Sequence, residues 1–376
     1  MTRRGTIEGS IGIVAVVLIL KLLQSASCWA MEQPQIEGLV ESNPLVLQLH
    51  APDHDRKVAS VMPVSHPNSQ FVRLHFSNIS DSSTVDYRVV VRDQDDAVVV
   101  EYPKIVFNRT SEFWTAVVFG ESAKVYVLGD AAPTGLSFTI DKNAYQSDQV
   151  VVTQSLVQNK LEPLSRVSDN AVLQVARSVA KLSFFVGNAP ASCTGFMISD
   201  NLLMTNEHCI NSASSCRGAF AIFGYEDDAS GQTKVGEQIP CEQVIRTDPT
   251  LDFAVLRLSG SPGAKWGHLA LSSDETSANQ ELYIVQHPGG SPKEISRIGC
   301  MVAQTPVPGR DAAKMTDFAD LCDSMGGSSG SPVVAKGSSS VIGLHHLGFT
   351  DPPWNHVNRA VEMKLISLEL KRAGVL

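Results

Sequence analysis

Between Leu39 and Gln146 the apolar positions fall in short runs separated by turn-forming residues. The runs are Leu45-Val46-Leu47, Phe71 to Phe76, Tyr87 to Val91, Ala97 to Val100, Trp114 to Val118, Lys124 to Leu128 and Leu136 to Ile140. Short runs rich in β-branched and aromatic residues, bounded by Asp, Asn, Gly and Pro, are strand signals. Together they predict a smaller β-sandwich-like domain over residues 31–146. Residues 147–166 turn polar and read as a linker. From Asp169 the period changes, with Val172, Val175, Val179 and Leu182 on one helical face and Asp169 placed as its N-cap. Residues 147–175 therefore read as linker and helix.

Strand signals return over residues 176–376: Leu182 to Val186, Thr194 to Ile198, Leu202 to Thr205, Ala219 to Phe223, Phe253 to Leu258, Glu281 to Val285, Ile298 to Val302 and Val341 to His345. No helical stretch interrupts them until Val361 to Ala373, which predicts an all-β barrel or sandwich unit closed by a C-terminal helix.

At 376 residues the chain is long for one domain, in keeping with two units. Its 43% hydrophobic and 18% charged residues suit packed cores rather than disorder. A net charge of −9 without clustered Lys and Arg argues against a nucleic-acid partner. Residues 1–30 read as a secretory signal peptide, with Arg3 and Arg4, an apolar run from Ile11 to Leu20, and small residues toward Ala30. Lys21 ends that run, which is short for a membrane span, so no stable membrane insertion is expected after cleavage. Cys28 lacks the preceding apolar residue of a lipoprotein site. The other cysteines, Cys193, Cys209, Cys216, Cys241, Cys300 and Cys322, form an even set, which on an exported chain implies disulfides. No Cys-x-x-Cys or His-x-x-x-His spacing suggests a metal, and no cofactor is expected. Asn78-Ile79-Ser80 and Asn108-Arg109-Thr110 match the N-glycosylation pattern.

The stretch Gly326-Gly327-Ser328-Ser329-Gly330-Ser331-Pro332 reads either as a flexible linker or as a nucleophile loop delivering Ser329 just before a buried strand. In the second case Gly327 can turn its N–H toward a substrate and, with that of Ser329, form a two-donor oxyanion hole. A serine also needs a base and a group to orient it. His208 follows the apolar run ending at Thr205, and Asp252 opens the apolar run Phe253 to Leu258. A carboxylate at that edge is costly unless hydrogen-bonded, and an imidazole N–H is a suitable partner. Taken singly, His208 could be an ordinary loop histidine and Asp252 an ordinary strand-start acid.

Together, the order His208, Asp252, Ser329 with these flanks resembles the trypsin-like (chymotrypsin-fold) serine peptidases over roughly residues 176–376. Asp252-Phe253-Ala254-Val255-Leu256 is similar to the family's Asp-Ile-Ala-Leu-Leu segment, and Gly327 to Pro332 to its Gly-Asp-Ser-Gly-Gly-Pro. The resemblance implies a double six-stranded β-barrel and a secreted serine endopeptidase acting on protein or peptide substrates. It also implies a Cys193–Cys209 disulfide beside the catalytic histidine. A Cys300–Cys322 bridge would brace the nucleophile loop and leave Cys216 with Cys241. Thr205-Asn206-Glu207-His208, His287-Pro288-Gly289-Gly290, Gly343-Leu344-His345-His346 and Asn358-Arg359-Ala360-Val361 resemble the secreted bacterial-type branch that includes glutamyl endopeptidases. One departure is Ser328, which stands where animal trypsins carry the Asp that pairs with a freshly cut amino terminus. This predicts that no such switch operates and that residues 31–165 mask or target instead.

By the same resemblance, Asp323 falls where trypsins keep the acid that selects Lys or Arg. His345 falls where glutamyl endopeptidases bind an acidic side chain. The two signals conflict, and an Asp323–His345 hydrogen bond would satisfy both groups. The alternative to an enzyme is a silent peptidase-fold binding or effector protein whose first half does the recognising.

Overall fold

The computed structural model describes residues 33–147, 150–349 and 357–376. The expected signal peptide lies outside the described residues. Over the first part of the chain two antiparallel sheets face each other. One runs in the order Gln48–Leu49, Lys57–Ser65, Ser122–Leu128, Arg88–Arg92, Val98–Pro103, and the other Gly38–Val46, Leu136–Gln146, Phe71–Asp81, Phe113–Trp114. Alternation sets the inner face: Ala123, Val125 and Val127 are buried between half-exposed neighbours. Phe76, Phe107, Phe138 and Tyr87 fill the space between the sheets. The sequence pattern missed the strand Lys57–Ser65, whose inward positions Val58, Ala59 and Val61 are broken up by polar residues and Pro63.

Six strands then close a barrel: Ala189–Met197, Val179–Val186, Phe220–Phe223, Glu237–Asp248, Phe253–Leu258 and Leu202–Thr205, the last pairing back to the first. A second sheet runs Glu162–Pro163, Glu294–Ser296, Leu282–Gln286, Pro332–Ala335, Val341–Phe349, Val357–Glu362, Asp317–Asp320, Val302–Val307. It curls until an isolated bridge joins Met301 to Glu281. Buried Val255, Phe196, Val285, Val334 and Ile366 form a core shared by both sheets and the closing helix Met363–Arg372. The first helix spans Asn170–Arg177 and is capped by the Asp169 side chain, which accepts from the N–H groups of Ala171 and Val172. It stops short of the expected Leu182 because the strand Val179–Val186 claims those residues. The run Ile298 to Val302 bends at Ile298-Gly299 and bridges at Met301, and its strand starts only at Val302.

Two features join the halves. Arg73, wholly buried, donates to the carbonyls of Thr115 and Gly218 and lies over the rings of Phe185 and Phe220. Burial pushes its guanidinium down to about 10, still charged at neutral pH. The stretch read as a linker is no free connector either. Gln154–Ser155 pairs with Ser324–Met325, and Glu162–Pro163 pairs with Glu294–Ile295, so residues 154–163 are laid onto the second barrel. Asn78 and Asn108 are exposed.

Candidate active site

The strand Leu202–Thr205 ends at the lip of the first barrel, and the following turn carries His208. Asp252 sits at the start of Phe253–Leu258 with φ +44°, a conformation a non-glycine residue adopts only when held. The Asn206 side-chain amide and the Glu207 N–H both donate to its carbonyl. Its buried carboxylate accepts from His208 Nδ1 at 2.8 Å and from the His208 backbone N–H at 3.1 Å. Burial opposes that charge, but the His208 and His346 imidazoles hold the carboxyl well below the usual carboxylate range. His208 Nε2 is buried and carries no hydrogen bond, to Ser329 or to any other described group.

In the loop before Pro332–Ala335 the carbonyls are pinned one by one. That of Gly326 accepts from the Gly289 N–H at 2.6 Å, and that of Ser328 accepts from the Ser331 N–H at 3.1 Å and hydroxyl at 2.6 Å. A trans peptide points its C=O and N–H in opposite directions. The N–H groups of Gly327 and Ser329 therefore face away from those anchors. Gly327 (φ +91°) and Gly330 (φ +87°) occupy backbone conformations that side chains rarely adopt.

Contacts tie the three sequence candidates to one place. The Ser329 carbonyl accepts from the Thr194 N–H at 2.8 Å. Thr194 adjoins Cys193, whose disulfide partner Cys209 follows His208. The Gly330 N–H donates to the His345 carbonyl, and the next residue, His346, reaches Asp252. Cys216–Cys241 and Cys300–Cys322 also stand at bonding distance. Among the described residues, Cys193, His208 and Cys209 cluster closely enough for a metal, but both sulfurs are spent on each other.

The two pocket candidates are not brought together. The Asp323 carboxylate, 1% exposed, accepts from the backbone N–H groups of Gln158, Asn159 and Lys160 and makes no bond to His345. Burial drives His345 down to about 3, with the nearby His346 and His208 charges adding to the effect, so it is neutral. His345 and Ser329 line a cavity of about 210 Å³ with Gly326 and Gly348 on one side and the chain's own Gln33 to Ile36, Val151 and Thr153 on the other. The strand Gln35–Ile36 pairs with Ala191 and Ser192, and Thr153 accepts from the Gly326 N–H.

Sequence reasoning missed four residues. Thr194 holds the Ser329 loop through its N–H to the Ser329 carbonyl and its hydroxyl to the Gly327 carbonyl. His346, Asp317 and Arg310 surround the Asp252 carboxylate. The doubled histidine His345-His346 was visible, but only one of the pair was given a role.

Residues 193–344 match the family model described as trypsin-like peptidase domain. Over 205 residues the chain is 31% identical to the secreted RxLR effector protein 73 of Plasmopara viticola, covering 48% of this chain and 46% of that protein, about half its length. In fold it resembles the Rv3671c protease of M. tuberculosis in its active form (18% identity, 56% of this chain and 87% of that one, TM-score 0.43). It also resembles a Glu endopeptidase in complex with MPD (19%, 58% and 98%, TM-score 0.42). The matched residues, 193–344, lie within the strand-rich pair of barrels, and over that stretch the chain is similar to a trypsin-like peptidase domain.

Proposed function

We propose that this chain is a secreted serine endopeptidase whose triad is His208, Asp252 and Ser329. The Ser329 hydroxyl attacks the scissile carbonyl while His208 Nε2 takes its proton. Asp252 keeps Nδ1 protonated and steadies the imidazolium that forms. The N–H groups of Gly327 and Ser329 receive the oxyanion, each donor worth about 3 kcal/mol of barrier in such sites. His208 then returns the proton to the leaving amine, after which it takes a proton from the water that attacks the acyl carbon and hands it to the departing Ser329 oxygen. The observation that carries this reading is the His208 ring, held at Nδ1 by Asp252 and unbonded at Nε2.

A fluorophosphonate small enough for the cavity tests it. Stoichiometric labelling of the folded chain that vanishes in Ser329→Ala supports the enzyme. A folded wild-type chain that stays unlabelled sinks the reading and favours a peptidase-fold effector, the role printed in the Plasmopara relative's name.

The same cleft supports masking. Gln35 donates from Nε2 to the Val151 carbonyl at 3.3 Å, and its Oε1 lies against the α-carbon of Gly326, so one side chain knits both covering segments to the nucleophile loop. In this reading a new amino terminus plays no part in activation. The Ser328 hydroxyl turns back to the Met325 N–H, and the buried acid Asp323 is spent on three amides of the chain interior. Removing the Gln35 amide is expected to loosen the cover by about 1 kcal/mol. Gln35→Ala should then hydrolyse peptides about fivefold faster than wild type, and an equal or lower rate would show that the segments do not gate the site.

A further inference from the structure

We infer that His346, wedged between Asp252 and Asp317, is a positioning residue: a buried imidazolium that clamps the Asp252 carboxylate and sets the pH range over which the triad works. The inference rests on the triad assignment above. His346 Nδ1 lies 3.1 Å from Asp252 Oδ2, and Nε2 lies 2.7 Å from Asp317 Oδ2, with all three side chains buried. A neutral ring would turn one nitrogen lone pair toward a carboxylate oxygen, which is repulsive, whereas the doubly protonated ring donates at both ends. Burial opposes that charge, but Asp317 and Asp252 outweigh it and hold the ring up to about 9.

The groups around Asp252 come from every wall of the site. From the turn after Leu202–Thr205 come His208 and Glu207. The Val341–Phe349 strand supplies neutral His345 beside His346. Asp317, with the Thr316 hydroxyl on its other oxygen, belongs to Asp317–Asp320. Arg310 enters between the last two strands of the second sheet and reaches Asp252 Oδ1 at 3.2 Å and Glu207 at 2.8 Å. Asp252 thus faces two fixed cations besides the catalytic imidazole. His208 Nδ1 and His346 Nδ1 meet on the same oxygen, Asp252 Oδ2, so the fixed charge of His346 acts directly on the carboxylate that orients the catalytic ring.

Long-range ¹H–¹⁵N spectra of histidine-labelled protein read the His346 ring directly, with or without hydrolysis. His346 is expected to show two protonated nitrogens from pH 5 to about 8. Asp317→Asn removes the outer carboxylate and should return His346 to a single-proton ring near neutral pH. In His346→Asn the Asn fills the site without charge. In a chain that labels at Ser329, the acid limb of kcat/KM should move about one unit toward higher pH in His346→Asn while KM stays the same. A singly protonated His346 at pH 6, or an acid limb unmoved in a folded His346→Asn chain, overturns the inference. Neither result bears on whether Ser329 is the nucleophile, which the fluorophosphonate reads separately.

Discussion

Asp252→Asn is expected to lower kcat about 10⁴-fold, the scale of losing the orienting acid in such triads. The reason is geometric before it is electrostatic. With the carboxylate in place, His208 Nδ1 donates at 2.8 Å and the unbonded Nε2 is left as the acceptor that must take the serine proton. An amide nitrogen facing Nδ1 would favour the opposite tautomer, with Nε2 protonated and useless as a base. The setting sharpens the loss, because the same carboxylate also answers His346 and Arg310, both of which would be left facing a neutral group. His346 is buried and keeps only Asp317, and part-buried Arg310 keeps Glu207, so the loss of this shared carboxylate costs about 3 kcal/mol in folded stability. The substitution should therefore show in the denaturation midpoint as well as in kcat. Steady-state kinetics on a peptide substrate, paired with chemical denaturation, check both. A kcat within about tenfold of wild type would remove Asp252 from the triad.

The division between what the sequence made legible and what it hid follows the physics of each signal. Core strands such as Phe253–Leu258 and Leu282–Gln286 are continuous apolar runs because both faces are covered, and they stand out in a linear reading. Glu237–Asp248 has no fully buried position and little apolar signal, although it is needed to close the first barrel. Lys57–Ser65 fails for a different reason: its buried Val58, Ala59, Val61 and Val64 are interrupted by Ser60 and Pro63. Within the site, His208, Asp252 and Ser329 were visible because each stands at an element boundary beside glycine, cysteine or an apolar run. Their neighbours were not. Arg310 looks like any polar residue of a loop and Asp317 like any acid at the start of a short strand, and only the fold sets them against Asp252 and His346. The acid at 323 misled for a related reason: its position suggested a substrate pocket, but the segment 158–160 comes from far upstream to consume its charge.

Gly330→Ala is expected to cut the rate of Ser329 labelling, and kcat with it, by at least about 10²-fold, the effect of losing one oxyanion donor. A β-carbon built at Gly330 would stand 2.1 Å from the Thr194 carbonyl oxygen and 2.4 Å from the Thr205 hydroxyl, on a backbone already at φ +87°. The first of these neighbours is main chain and cannot swing aside. Thr194 is also the residue that pins the loop, through its N–H to the Ser329 carbonyl and its hydroxyl to the Gly327 carbonyl. Relieving the clash must move Thr194 away from the loop and disturb the Ser329 hydroxyl and both inward N–H groups at once. A control separates this from left-handed strain alone. Gly337 has φ +79° but nothing within 4 Å of its would-be β-carbon, so Gly337→Ala carries the conformational cost without a collision. Gly337→Ala should lose only about 1 kcal/mol of stability and label at the wild-type rate. Comparing labelling rates and thermal midpoints of the two variants decides the matter. If Gly330→Ala labels like Gly337→Ala, the loop tolerates displacement and its pinning by Thr194 is not what arms the serine.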